Sequence, residues 1–123
     1  EILKMQFATE IDFLRNARHY YQYGKLLITH AGFDSTAENW QDTSNQDFLW
    51  IREHYLQPNQ TGLINIFGHT PTRNMHNIDD IWISPCQSYI GIDGGCAYGG
   101  QLNALLISEQ GEILETFVEH SDK

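Results

Sequence analysis

Two histidines in this chain stand at the ends of apolar runs, and each is bordered by small residues. In residues 63–72, LINIFGHTPT, the run ends in Gly68 and presents His69. In residues 26–32, LLITHAG, the same device presents His30, with Ala31 and Gly32 behind it. Neighbouring strands of a sheet end at a common rim, so two such tips can bring both imidazoles to one place, and imidazole pairs of this kind ligate metals. We read His30 and His69 as two ligands of a metal centre whose other ligands are missing from this chain. The remaining histidines, His19, His54, His76 and His120, read as partly buried, hydrogen-bonded side chains, with His54 inside a helix and His120 in the tail.

Arg52 in FLWIREHYL falls on that same helix, between Trp50 and Glu53. It is either a surface arginine paired with a neighbouring carboxylate or a guanidinium that grips a phosphoryl group through two parallel hydrogen bonds. Residues 91–100, GIDGGCAYGG, hold five of the ten glycines. A phosphate-cradling loop would suit such a run, but neither the dinucleotide fingerprint nor the Gly-Lys-Ser/Thr ending of a P-loop is present. The alternative is a tight passage in which glycines adopt positive φ and let the backbone run close under a site. Asp93 inside it could orient a metal-bound histidine or bond local backbone groups.

The elements that must position these groups follow from periodicity. Leu3, Phe7, Ile11 and Leu14 recur at helical spacing, so residues 2–17 are expected to form one amphipathic helix. Around Tyr23-Gly24-Lys25 a tight turn joins two short strands, the second delivering His30. Residues 33–43 are polar and irregular, a loop beyond the strand end. Ser44 with Asp47 resembles a helix cap, and Phe48, Ile51 and Tyr55 mark one face of a second helix closed by Pro58 and Gly62. Residues 63–67 form a strand buried on both faces. Strands follow at residues 81–84, 89–92 and 102–107, then a hairpin turn at Gln110-Gly111 into residues 113–118, with the tail frayed from Glu119. Two early helices and many late strands make a mixed α/β domain spanning residues 1–123, with a sheet face or edge that two helices leave uncovered.

Composition narrows the partners. A formal charge of −9 with only seven Lys and Arg argues against nonspecific nucleic-acid or anionic-membrane binding and suits a divalent cation better. The two cysteines, Cys86 and Cys96, form neither a C-x-x-C motif nor a dense framework, so a reduced, cytoplasmic setting is expected. No apolar run approaches the roughly 18 residues of a membrane span, and the amino end lacks the pattern of a signal peptide. Starting at Glu1 within helix-like sequence, the chain reads as a piece of something longer.

Taken together, LLITHAGFD, FLWIRE, IFGHTPT and GIDGGCAYGGQLNALLI occur in the order and approximate spacing of the carboxy-terminal half of the calcineurin-like metallophosphatases. The chain most resembles the bacterial branch that includes serine/threonine protein phosphatases and symmetrical dinucleoside tetraphosphatases, over residues 13–118. The resemblance implies the carboxy-terminal half of a metallophosphatase β-sandwich, with a mixed sheet flanked by two main helices. It also implies two adjacent divalent metals, of the Mn, Fe, Zn or Mg class, that share a bridging hydroxide. By position, His30 and His69 resemble the two late histidine ligands, both on the second metal, and Arg52 resembles the arginine that holds the substrate phosphate. Gly94 and Gly95, with Tyr98, Gly99 and Gly100, resemble the glycine-rich connection that closes under the site.

The early motifs of that family, Asp-x-His, Gly-Asp-x-x-Asp-x-x-Gly and Gly-Asn-His, are absent, and no Gly-Asp or Asn-His dipeptide occurs anywhere in the chain. Four ligands and the histidine that protonates the leaving group go with them. The expected function is therefore part of a phosphoesterase acting on a phosphorylated protein or a nucleotide, inactive and binding metal weakly or not at all by itself. The competing expectation is a non-enzymatic binding or assembly module that self-associates or captures a partner through an uncovered sheet face or edge.

Overall fold

A computed structural model describes residues 1–122 and shows a mixed α/β arrangement built on two sheets. Three strands of the larger sheet alternate between two apolar clusters because adjacent side chains of a strand point to opposite faces. Leu27, Phe67 and Tyr89 join Phe33 and Phe48 on one face, while Leu26, Ile66 and Ile90 form the cluster on the other. The strands are β1 (Tyr20–Tyr23), β2 (Leu26–Thr29), β3 (Ile64–Phe67), β4 (Trp82–Ile83) and β5 (Tyr89–Gly91), in the order β1-β2-β3-β5-β4. β2, β3 and β5 run parallel, and β1 and β4 add antiparallel edges. Being central, β3 is buried along most of its length, as its apolar run requires.

The β1–β2 hairpin forms as its sequence indicates, with Tyr23 opposite Leu26 and Gly24 at φ +55 in the turn. Strands β6 (Gln101–Ile107) and β7 (Ile113–His120) pair as a separate antiparallel hairpin with Gly111 at φ +94. Leu105, Ile107 and Ile113 pack its inner side against the Leu26–Ile66–Ile90 cluster. A polar staple fastens its start: the Gln101 amide donates to Asp80 Oδ1 at 2.9 Å, and Asn103 Nδ2 donates to the Asp79 and Ile92 carbonyls at 2.8 and 3.1 Å.

Several expected elements differ. The amino-terminal helix is two, α1 (Ile2–Gln6) and α2 (Ala8–Arg15), broken at Phe7 with φ −118 and ψ 35. Neither buries a residue, so the apolar stripe has no surface to hold it straight. Ser44 does cap the next helix, accepting from the Asp47 amide at 3.0 Å, but α3 (Asn45–Trp50) stops at Trp50. Ile51 turns extended, Glu53 adopts φ +64, and residues His54–Leu56 form a separate 3-10 turn. Arg52 and His54 are therefore off the helix. The short helix α4 (Arg73–His76) occupies what reads as a polar connection, so four short helices replace the expected two main ones. β5 ends at Gly91, and β7 continues through the segment expected to fray, His120 pairing with Gln101. Both cysteines are free, and no helix among the described residues is long and apolar enough to cross a membrane.

The break after α3 has a cause in the core. His54 is 3% exposed, and its Nε2 lies 2.9 Å from Asn65 Oδ1 on β3. Burial pushes the His54 pKa down to about 4, with the Asn65 bond opposing. A group whose folded pKa is depressed binds its proton more readily when unfolded, so the stability is present above pH 6.5 and falls as pH drops toward 4. Urea unfolding at pH 7 and pH 4.5 should show the parent chain losing about 2 kcal/mol more than a His54→Gln variant over that interval. Equal losses would mean that His54 is not the titrating group.

Candidate metal and phosphate site

Because β2, β3 and β5 are parallel, the residues after all three emerge at one rim, where ligands of parallel sheets commonly bind. His30 follows β2, His69 follows β3 by two residues, and Asp93 follows β5 by two. The tips are tied together: the Gly68 amide donates to the His30 carbonyl at 2.8 Å, and the Thr72 amide donates to the Asp93 carbonyl at 2.8 Å. The His30 and His69 rings consequently lie 5.1 Å apart between centroids, tilted at 54°. The two imidazoles singled out by their sequence setting are neighbours.

His69 sits in a strained turn. Its φ is +67, a region costly for a residue with a Cβ, and the Thr70 amide closes the turn on the Gly68 carbonyl at 2.7 Å. Its Nε2 is buried without a hydrogen-bond partner, which leaves a nitrogen lone pair or proton unclaimed by the protein. Burial lowers the His69 pKa most, followed by the charges of Arg52 and His30, while Asp93 and a hydrogen bond to the Trp50 backbone oppose. The balance favours neutral imidazole, the form that ligates metal. Trp50 stands edge-on to the ring with centroids 5.5 Å apart and is itself 63% exposed, so it walls one side of the site.

Arg52 reaches this rim from the extended segment after α3. It is exposed, and no carboxylate pairs with it among the described residues; the ion pair found there is Arg73 with Asp79, at 2.7 Å. The surface-pair reading of Arg52 thus has no partner in the fold. What aims the segment is the buried contact two residues on, His54 with Asn65. Asn65 was not visible as a site residue, because a polar residue inside an apolar run signals a buried network only once its partners are known. Its Nδ2 donates to the Leu27 carbonyl at 3.0 Å and to Thr29 Oγ1 at 3.1 Å, binding β3 to the strand that carries His30.

The glycine segment is a close passage. A Cβ at Gly94 would collide with the Gln101 carbonyl, and one at Gly100 with the Gly94 carbonyl. Gly95 and Gly99 take φ +66 and +87 around the 3-10 turn Cys96–Tyr98. Asp93 Oδ1 accepts from the Gly95 amide at 2.9 Å, the local role of the two open to it, while its charge still bears on His69. Tyr98 stands at the tip of the turn, 84% exposed. The rim thus gathers His30, His69, Arg52 and Asp93 and leaves Tyr98 in solvent.

Among the described residues no group of three or more His, Cys, Asp or Glu is placed to hold a metal ion. The donor set nonetheless suits a borderline cation: two imidazoles, one with an unclaimed nitrogen, as two of the three or four protein ligands such an ion takes. Comparison with protein-family models, with curated proteins and with solved structures finds no match to this chain.

The strain at His69 is directly measurable. Glycine adopts positive φ without penalty, so His69→Gly should be more stable than His69→Ala by about 1 kcal/mol in urea unfolding. Equal stabilities would show that the turn relaxes in solution.

Proposed function

We propose that this chain forms the carboxy-terminal part of a two-metal phosphoesterase of the calcineurin-like class, acting on phosphate esters as serine/threonine protein phosphatases do. The observation that carries the reading is the approach of His30 and His69 to 5.1 Å on the rim of a parallel sheet. The reading is also supported by Arg52, a cation close enough to the same rim for its charge to depress the His69 pKa.

In this reading His30 and His69 would hold one metal as neutral imidazoles, with the remaining donors supplied from outside this set. A divalent metal bound there would supply Lewis acidity toward a phosphoryl oxygen and would lower the pKa of a water so that hydroxide, the nucleophile, is available at neutral pH. Arg52 binds the phosphoryl oxygens through its planar fork and offsets the charge that grows on them in the transition state. The Trp50 ring limits water on one side of His69, which strengthens those charge interactions. Asp93 supports the site by fixing the loop beneath it and by its charge, without touching substrate.

A titration that does not require turnover tests the assignment. Two imidazoles alone bind weakly, so millimolar Co²⁺ or Zn²⁺ added to the purified chain should perturb the His30 and His69 imidazole resonances together, and His30→Ala should weaken the effect at least about tenfold. Inorganic phosphate should then bind with a dependence on Arg52 that Arg52→Lys restores only in part, since lysine lacks the fork. Metal perturbing other histidines instead, or phosphate binding that ignores Arg52, would overturn the reading.

A further inference from the structure

Of the six histidines only His54 is buried, and it belongs neither to the metal pair nor to the phosphate grip. Asn65 fixes its tautomer. The Asn65 Nδ2 donates to the Leu27 carbonyl at 3.0 Å and to Thr29 Oγ1 at 3.1 Å. A carbonyl can only accept, so the amide cannot turn over without setting Oδ1 against it. Oδ1 is thereby committed to His54 Nε2, 2.9 Å away, and only a protonated Nε2 can meet it. Nδ1 is then the bare nitrogen. It is buried without a partner in a ring of uncharged groups, Phe33, Tyr55, Phe67 and Tyr89. The turn behind His30 closes over it, since a Cβ at Gly32 would strike both Cε1 and Nδ1. The His54 side chain thus makes one polar contact, a single hydrogen bond donated to the central strand.

Arg52 lies between two fixed points. On one side the Ile51 amide donates to the Asp47 carbonyl at 3.0 Å and ends α3. On the other, His54 is pinned to Asn65 by its ring, while its carbonyl accepts from the Ser35 hydroxyl and the Gln57 amide, both at 3.1 Å. Between these points Glu53 takes φ +64, a conformation that costs a residue with a Cβ. Such strain persists only while surrounding contacts impose it, and the ring of the very next residue supplies a buried one.

We propose that His54 is the positioning residue for Arg52: its Nε2–H, held in that tautomer by Asn65, keeps residues 52–53 turned toward the histidine rim. This role rests on the phosphoester reading, which assigns Arg52 to phosphate. Every group it needs lies in this chain, on β3, in the turn after β2 and in the segment after α3. The imidazole pair does not share the dependence, because the backbone bond from the Gly68 amide to the His30 carbonyl ties those two tips directly. Loss of the His54 donor therefore separates phosphate binding from metal binding.

A measurement that needs no variant comes first. Long-range ¹H–¹⁵N spectra of the parent chain at pH 7 should show His54 protonated at Nε2 and bare at Nδ1. His54→Gln places an amide donor near the position of Nε2, whereas His54→Phe fills the same aromatic enclosure and offers none. Backbone shifts and couplings should keep Glu53 at positive φ in the parent and in His54→Gln and release it in His54→Phe. Inorganic phosphate, followed through the Arg52 Nε–H resonance, should bind His54→Gln within about threefold of the parent and His54→Phe at least about tenfold more weakly. The response of His30 and His69 to millimolar Co²⁺ should stay within about twofold in all three proteins. A proton on Nδ1, a Glu53 that keeps its conformation in His54→Phe, or equal phosphate affinity in the two variants would overturn this role and leave the phosphoester reading standing. Phosphate binding that ignores Arg52 in the parent would overturn that reading, and this role with it.

Discussion

The rim of this protein depends on one buried carboxamide. Asn65 is fully buried on the central strand, and its Nδ2 donates to the Leu27 carbonyl and to Thr29 Oγ1 while its Oδ1 meets His54 Nε2. Each bond lost in such a place leaves an unmet polar group costing roughly 1–3 kcal/mol. Satisfying all of them at once allows one arrangement. Bonds to β2 hold the His30 strand against the His69 strand, and the bond to His54 fixes where the segment with Arg52 must lie. Gly32 completes the fit, because a Cβ there would strike the His54 ring.

From that arrangement the electrostatics of the rim follow. Three parallel strands deliver His30, His69 and Asp93 to one edge, and the reversal after α3 adds a cation, Arg52, that forms no ion pair among the described residues. Crowding is absorbed by backbone that few residues tolerate: His69 and Glu53 in left-handed conformations, and the close passage of Gly94 against Gln101. Strain of this kind persists only where surrounding structure over-determines it. Elsewhere the packing is looser: α1 and α2 bury none of their own residues, and β7 is exposed beyond Ile113.

Much of the fold was legible because its signals are local. The β1–β2 turn needs only Gly24 and flanking β-formers, the Ser44 cap needs only three residues, and β3 announces itself as a short apolar run between glycines. The errors arose where local preference met a longer-range demand. Phe48, Ile51 and Tyr55 keep helical spacing, yet carrying α3 through them is incompatible with the extended Ile51 and left-handed Glu53 that accompany His54 in contact with Asn65. The reverse failure occurred at residues 2–17, where good helical periodicity met no packing surface and broke at Phe7. Of the candidate site, His30 and His69 stand out in the sequence by their strand-end setting, and Arg52 only as one of two alternatives.

By itself the sequence determined the residue types at the strand ends, the turns that separate the strands and the excess of negative charge. Those are properties of short windows and of sums over the chain. Only the tertiary structure decided that the strands ending in His30 and His69 are immediate neighbours, that Arg52 leaves its helix to face them, and that Asn65 rather than a charged residue holds them together. Parallel pairing joins segments far apart in the chain, and a buried amide chooses its partners only after the core has brought them within hydrogen-bond reach.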